Sequence, residues 1–191
     1  IIPLSQGEKP EEVILYAYLA SEEAAKDPID KAIVEKAREM RISKGNLEVI
    51  EFKPFSPETK RAEALVRAGN TVFKAVKGAP QVLAELDREL DREKFDELVE
   101  DLSKKGMRPL AVGVEKNGVF KVVGLLGLYD KPRDDSPGFI SEIKKMGVKP
   151  VMITGDNIHI AKTIAGMVGI EGKAISLRGV PKEEVLQFID K

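Results

Sequence analysis

The chain has 191 residues, with 31 Lys or Arg and 32 Asp or Glu, so its net charge is −1 and no overall basic field indicates nucleic acid as a partner. It contains no Cys and one His, which excludes a disulfide framework, a zinc–thiolate site and a multi-histidine metal site. The longest nearly apolar runs, Val13–Ala20 and Val122–Tyr129, are far shorter than the roughly 20 residues of a membrane-spanning helix. Because the chain begins at Ile1 without a Met or a signal peptide, we expect it to be a piece of a longer protein.

Two helices are predicted at the start of the chain. The first runs from Glu11 to about Lys26, and the second opens at Asp27-Pro28, because Asp can cap a helix and Pro fits its first turn. Both have apolar stripes at helical spacing, made by Val13, Ala17, Ala20 and Ala24 in the first and by Ile29, Ile33, Ala37 and Met40 in the second.

Strands and one long helix are predicted next. Leu47–Phe55 is strand-like, and Thr59–Ala68 and Thr71–Lys77 fit an antiparallel hairpin around a turn at Gly69-Asn70. Pro80 to Lys105 has the strongest helical pattern, with a leucine-rich face opposite a densely charged one.

A second hairpin closes the first stretch of the chain. Alternating apolar residues from Leu110 to Val114 meet the turn Asn117-Gly118, and the chain returns over Phe120–Tyr129. The pattern therefore predicts an α+β unit around an antiparallel sheet over residues 1–128.

The remaining residues, 129–191, have a different rhythm. Helices are predicted from Ser136 to Gly147 and over Asn157–Val168, and the apolar run Val148–Ile153 between them suits a buried parallel strand. Alternating strands and helices are typical of a doubly wound α/β sheet. The segment is too short to cover both faces of such a sheet, so we expect it to be a partial domain.

Thr154-Gly155-Asp156 lies where the predicted parallel strand gives way to a helix. Ligands bind at the carboxyl ends of such strands, and a helix N-terminus offers free N–H groups to an anion. A plain helix cap explains the tripeptide equally well.

Three other segments carry candidate binding residues. Lys77-Gly78-Ala79-Pro80 ends a strand, and its glycine would let a phosphate or a base approach the backbone, although a turn with a solvated Lys is the more frequent meaning. Phe52 and Phe55 lie near a strand end, where an exposed aromatic could stack on a purine, although the plainer reading places both in the core and we expect that of one of them. The charged segment 129–136 reads, by composition alone, as a linker that ends in a helix cap.

The order and spacing of the motifs are more specific than any one of them. Read along the chain, DPIDKAI, FKPFSPETKR, KGAP, GMRPLAV, DKPRDDS and VMITGDN resemble the cytoplasmic nucleotide-binding region of a P-type ATPase, running into its phosphorylation domain. The first, second and fifth motifs look most like the plasma-membrane proton-pump branch. The resemblance implies a nucleotide-binding domain over residues 1–128 and a partial phosphorylation domain, of the haloacid-dehalogenase and Rossmann-like type, over residues 129–191.

The resemblance also implies roles for individual residues. Asp30, with Asp27 nearby, would face the adenine amino group, Phe55 would stack on adenine, and Phe52 would belong to the core. The nucleotide pocket would further include Lys60, Lys77, Gly78, Ala79 and Arg108. At the hinge, Asp130 and Arg133 match the family's DPPR, although Lys131 replaces its first proline, and Thr154, Gly155 and Asp156 match its phosphate-contacting TGD.

The resemblance implies ATP as ligand, Mg²⁺ as cofactor of a full-length parent, and a place on the cytoplasmic side of a cell membrane. Partners would be the remaining phosphorylation, actuator and transmembrane domains. The family's phosphorylated Asp in DKTGT and its magnesium carboxylate do not occur in this sequence. We therefore expect the fragment to have no catalytic or metal-binding residue, and to bind nucleotide without turning it over.

Two alternatives remain open at this point. One is a soluble phosphatase of the haloacid-dehalogenase type with a cap domain, and the other is a stand-alone nucleotide-binding regulatory module. The residues that precede Ile1 discriminate among the three: DKTG after a long hydrophobic helix supports the pump, a DxD-type segment near a start Met supports the phosphatase, and a natural start supports the module.

Overall fold

In the computed structural model the described residues are 1–4, 7–24, 27–129, 132–155, 158–177 and 180. The helices found in these described residues are α1 (Pro10–Leu19), α2 (Pro28–Glu39), α3 (Pro80–Leu86), α4 (Arg92–Lys104), α5 (Ser136–Lys145) and α6 (Ile158–Val168). The strands of the same part of the chain are β1 (Ile2–Pro3), β2 (Leu47–Ser56), β3 (Arg61–Ala68), β4 (Thr71–Gly78), β5 (Arg108–Lys116) and β6 (Val119–Leu128). Both predicted hairpins are confirmed, as β3–β4 and β5–β6.

The strands form one six-stranded sheet in the order β1-β6-β5-β4-β3-β2. The turn between β5 and β6 has positive φ at both Asn117 (51°) and Gly118 (75°), which is why this dipeptide suits a tight hairpin. Strands β3 and β4 pair in continuous antiparallel register from Ala68↔Thr71 to Arg61↔Gly78. The predicted α+β fold is therefore confirmed for the first stretch of the chain.

Helices α1 and α2 cover one face of the sheet. Most residues predicted for their apolar stripes lie in or against the main hydrophobic cluster, with Ile29 and Met40 partly buried, whereas Ala24 is exposed beyond the end of α1. The buried members of the cluster come from both helices and from β3, β4, β5 and β6: Val13, Ala17, Ala20, Ile33, Ala37, Ala64, Val66, Phe73, Ala75, Val112, Val114, Val123 and Leu126. The predicted first helix was too long, because α1 ends at Leu19 rather than near Lys26.

The single long helix predicted from Pro80 to Lys105 is wrong, because the chain forms two helices there. The break is at Asp87, whose buried carboxylate accepts hydrogen bonds from the backbone of Glu89 (3.0 Å) and of Val122 on β6 (2.8 Å). An Asp side chain that binds nearby backbone N–H groups competes with helical hydrogen bonding. Here it also anchors the interhelical loop to the sheet.

The contacts divide the chain into two compact units. Unit 1 comprises residues 1–100 and 109–128, and unit 2 comprises residues 101–108 and 129–191. Unit 1 contains the sheet apart from the first residue of β5, whereas in unit 2 helices α5 and α6 contact each other.

The buried parallel strand predicted over Val148–Ile153 is wrong. The structure assigns neither strand nor helix there, and Val148, Val151 and Ile153 are 55%, 50% and 76% exposed. A strand needs a neighbour to pair its backbone groups. Among the described residues no strand lies beside this run, so its apolar side chains remain unburied.

None of the helices in the described part of the chain is both long and apolar enough to cross a lipid bilayer.

Candidate functional site

Lys77 is a lysine of unit 1 whose charged side chain is only 4% exposed. It follows Phe73 and Ala75 on alternate positions of β4, so its side chain leaves the sheet on the face that α1 and α2 cover. Lysine is almost never fully buried unless its charge is paired. The surroundings of its ammonium group therefore define a candidate site.

Two side chains accept hydrogen bonds from the Lys77 ammonium group. One is the carboxylate of Asp30 in the first turn of α2, and the other is Oγ of Ser21, 2.6 Å away, just after α1. The second carboxylate oxygen of Asp30 accepts from the backbone N–H of Glu22 at 2.9 Å. Strand β4 therefore places Lys77 next to the loop between α1 and α2, where it forms a buried ion pair with Asp30.

Burial and charge act on Lys77 in opposite directions. Burial lowers the pKa of its ammonium group, whereas the hydrogen bond and charge of Asp30, and to a smaller extent the charge of Asp27, raise it, with burial the largest effect. The protonated form of Lys77 thus depends mainly on Asp30, because removing that carboxylate would leave only the smaller effect of the Asp27 charge against desolvation.

Asp27 has a structural function in this arrangement. It caps α2 as predicted, since its carboxylate accepts from the backbone N–H groups of Ile29 (2.8 Å) and Asp30 (3.2 Å). The cap fixes the first helical turn and therefore the direction in which Asp30 points.

The backbone around Gly78 is crowded by the chain itself. A Cβ on Gly78 would lie 2.6 Å from the carbonyl oxygen of Lys60 and 2.7 Å from Cβ of Arg61. The same Lys60 carbonyl accepts from the backbone N–H of Ala79 at 3.0 Å, and Lys60 itself has a positive φ of 52°. The glycine predicted to admit a ligand is thus explained by the close approach of the β2–β3 turn.

Phe55 lies exposed near this end of the sheet. A bulge between Lys53 and Ser56 places Phe55 across from the part of β3 around Ala62, and Ala62 pairs with Lys77 on its other side. Its side chain is 60% exposed, whereas Phe52 packs against the core as predicted. At about 5 Å per strand, Phe55 is about 10 Å from the Lys77 backbone.

The other predicted site residues are not brought together by the described structure. Arg108 begins β5 and is exposed, and Arg133 forms a two-pronged ion pair with Asp135 (3.1 and 2.6 Å). Thr154 and Gly155 are exposed in a segment without helix or strand. Asp130 and Asp156 lie outside the described residues.

Ser21 is the site residue that the sequence did not reveal. The predicted first helix ran through it, which made it an ordinary helical position, but α1 ends two residues earlier and the Ser21 hydroxyl donates to the carbonyl of Ala17 at 2.8 Å. Ser21 is only 5% exposed. In the sequence, nothing distinguishes this serine from any other near a helix end. Its role became visible only when the structure placed the Lys77 ammonium next to it.

The described residues contain no group of three or more His, Asp or Glu side chains that could hold a metal ion. Within these residues, the Mg²⁺ that the resemblance implies for a full-length parent therefore finds no carboxylate cluster of that size.

The sequence is similar to known families over nearly its whole length. Residues 5–189 match the haloacid dehalogenase-like hydrolases. A Methanocaldococcus jannaschii protein named "Putative cation-transporting ATPase" is 43% identical, over 93% of this chain and 24% of its own. A Dictyostelium discoideum protein named "Probable plasma membrane ATPase" is 35% identical over 98% of this chain and 19% of its own. Plasma membrane ATPase 1 of Saccharomyces cerevisiae is 30% identical over 97% and 22%.

The chain spans about a quarter or less of the length of these three relatives. Since one family match covers almost every residue and the relatives carry the ATPase names that the motifs predicted, the resemblance to P-type cation-transporting ATPases is confirmed, and the chain belongs to the haloacid dehalogenase-like hydrolases.

Proposed function

We propose that unit 1 binds ATP and that this chain is the nucleotide-binding part of a P-type cation-transporting ATPase, which presents ATP to a phosphorylatable Asp outside the chain. The observation that carries the proposal is the buried pair of Lys77 and Asp30. These two residues, which the resemblance assigned to one adenine pocket, meet beside the bulge that exposes Phe55.

The chemistry of these groups suits a nucleotide. An exposed phenylalanine offers a flat apolar face on which a base can stack. The Lys77 ammonium group has three N–H donors. Among the described residues, Asp30 and Ser21 accept from two of them, so the third remains for a ring nitrogen or a phosphate oxygen. Lys60 is exposed on the turn that contacts Gly78, and its ammonium group could form a charge-assisted hydrogen bond to a phosphate.

Further parts of the proposal come from the relatives and the motifs. Residues 1–128 would be the nucleotide-binding domain and 129–191 part of the phosphorylation domain, with Asp130, Arg133, Thr154, Gly155 and Asp156 at the hinge and the phosphate. Arg108 would reach the phosphates. The parent would use Mg²⁺ and lie in a cell membrane with its actuator and transmembrane domains, in line with the names of the plasma membrane ATPases. Proton transport is proposed from the motifs alone, which look most like the plasma-membrane proton-pump branch.

Titration of the labelled chain with a non-hydrolysable ATP analogue tests the proposal. We expect a dissociation constant of roughly a millimolar or somewhat less, about 4–5 kcal/mol. Phe55→Ala and Lys77→Ala should weaken binding severalfold. Phe139→Ala in unit 2, where the phenylalanine is 56% exposed, and Lys74→Ala, three residues before Lys77 on β4, serve as matched controls. Unchanged affinity in both test variants would show that the pocket is assigned wrongly.

Turnover provides the second test. The chain lacks the DKTGT segment, so we expect no release of phosphate from ATP. Phosphate release by the pure chain that Asp156→Asn abolishes would contradict this and favour a phosphatase-like activity of the haloacid dehalogenase-like family.

A further inference from the structure

The Ser21 hydroxyl has a fixed direction in the fold. It carries one hydrogen, which it donates to the carbonyl oxygen of Ala17 at 2.8 Å. Its lone pairs are therefore left to accept, and the Lys77 ammonium donates to them at 2.6 Å. Ser21 and Lys77 are only 5% and 4% exposed, so replacing the contact between them by water would be costly.

The residues that follow Ser21 hold the loop in place. The backbone N–H of Glu22 donates to Asp30 at 2.9 Å. The carboxylate of Glu23 accepts from Tyr18 Oη at 2.8 Å and from Lys44 Nζ at 2.7 Å. Ser21, Glu22 and Glu23 thus each form hydrogen bonds to other parts of unit 1. These bonds hold the loop in place, so the position of the Ser21 oxygen is set by the loop and not by the Lys77 side chain.

We propose that Ser21 is a positioning residue, which holds the Lys77 ammonium in the orientation that leaves its third donor for nucleotide. This inference deepens the proposed function and rests on it for the ligand. Asp30 supplies the charge that balances Lys77, whereas Ser21 supplies the second contact, and two contacts fix the direction of the third N–H where one would leave it free to rotate.

The inference predicts two separable effects of Ser21→Ala. The ammonium group loses an acceptor while it stays buried, so the titration midpoint of Lys77 should move to lower pH. Affinity for the ATP analogue at neutral pH should fall by about threefold to tenfold. A serine that only closes the end of α1 would change stability without changing either readout.

The experiment follows the Lys77 side chain by NMR on protein labelled with ¹⁵N,¹³C-lysine and titrates the same samples with the non-hydrolysable ATP analogue. Ser21→Thr keeps the hydroxyl and should restore both readouts. Ser103→Ala removes the hydroxyl of another buried serine, in residues 101–108, and should change neither.

An unchanged Lys77 titration in folded Ser21→Ala overturns the inference. If Phe55→Ala and Lys77→Ala both leave nucleotide affinity unchanged, the pocket of the proposed function is assigned wrongly, and the Lys77 titration still decides whether Ser21 holds the ammonium. Should Ser21→Ala not fold, the unmodified protein decides: protected Nζ protons of Lys77 with an NOE to the Ser21 methylene support the inference, and their absence below the midpoint overturns it.

Discussion

The ammonium of Lys77 on β4 and the carboxylate of Asp30 on α2 form a buried ion pair across 47 residues of sequence. Their side chains are only 4% and 13% exposed. Neither charge could remain in that position alone, because a buried unpaired charge costs several kcal/mol. The pair therefore couples the α1–α2 loop to the end of the central strands, which is where the proposed nucleotide pocket lies.

Removal of one partner of this pair is expected to cost more than removal of both. Asp30→Asn should lower the free energy of unfolding by about 2–4 kcal/mol, since it leaves the Lys77 ammonium buried without its counter-charge. Adding Lys77→Met should recover part of that loss, because the double variant buries no charge. Urea unfolding of the two single variants and the double variant measures the coupling.

The pair of Lys74 and Glu115 is the matched control for that cycle, because it also joins β4 to another element but is more than a third exposed. Glu115→Gln should cost less than about 1 kcal/mol. Strictly additive losses for Asp30→Asn and Lys77→Met would show that the two groups do not stabilise each other.

Gly78→Ala should destabilise unit 1 by about 1–3 kcal/mol. The added methyl would lie 2.6 Å from the Lys60 carbonyl and 2.9 Å from Cα of Arg61, and both are backbone atoms that cannot rotate away. Gly138→Ala in α5 meets open space and should be neutral or stabilising by up to about 1 kcal/mol, since alanine favours helix. Denaturant unfolding with far-UV circular dichroism compares the two substitutions, and equal effects would contradict the crowding at Gly78.

Acid should weaken the α1–α2 loop through Glu23. Hydrogen bonds from Lys44 and then Tyr18 lower the pKa of this carboxyl from its ordinary value of 4.5. A group whose folded pKa is lowered stabilises the fold fully above the unfolded value and loses that contribution as pH falls through the folded pKa. Glu23→Gln should therefore lower stability at pH 7 and flatten the loss of stability below about pH 4.5.

Unfolding by urea at pH 7 and at pH 3 measures this effect. Glu39→Gln, which breaks an exposed ion pair with Lys36 on α2, is the control and should change both values little. A Glu23→Gln variant with an acid response identical to that of the unmodified chain would contradict the prediction.

Local sequence was sufficient where each element is decided by residues close in the chain. Asp27 and Pro28 set the start of α2, and Asn117-Gly118 sets the β5–β6 turn, because caps and tight turns depend on a few neighbouring backbone groups. The same local reading failed at Asp87, whose carboxylate binds the backbone of Val122, 35 residues away. Nothing near Asp87 in sequence distinguishes this anchor from an exposed helical aspartate.

Apolar composition also misled where burial needs a partner strand. Val148–Ile153 has the composition of a buried parallel strand, yet the described residues place no strand beside it. The composition of a segment shows whether its side chains are suited to burial. Whether they are buried depends on the strands and helices that lie beside the segment in the fold.

The sequence by itself determined the family, the Asp27 cap of α2, the hairpin turns, and which of the two phenylalanines packs against the core, because motifs, caps and alternation depend on short stretches of chain. Only the tertiary structure decided that Lys77 is buried and that Asp30 and Ser21 accept hydrogen bonds from its ammonium group. It also decided that position 78 must be a glycine, because the backbone of the β2–β3 turn leaves no room for a Cβ there. The physical reason is that desolvation and steric exclusion depend on what surrounds a group in space, and here those surroundings come from α1, α2 and β3 at once.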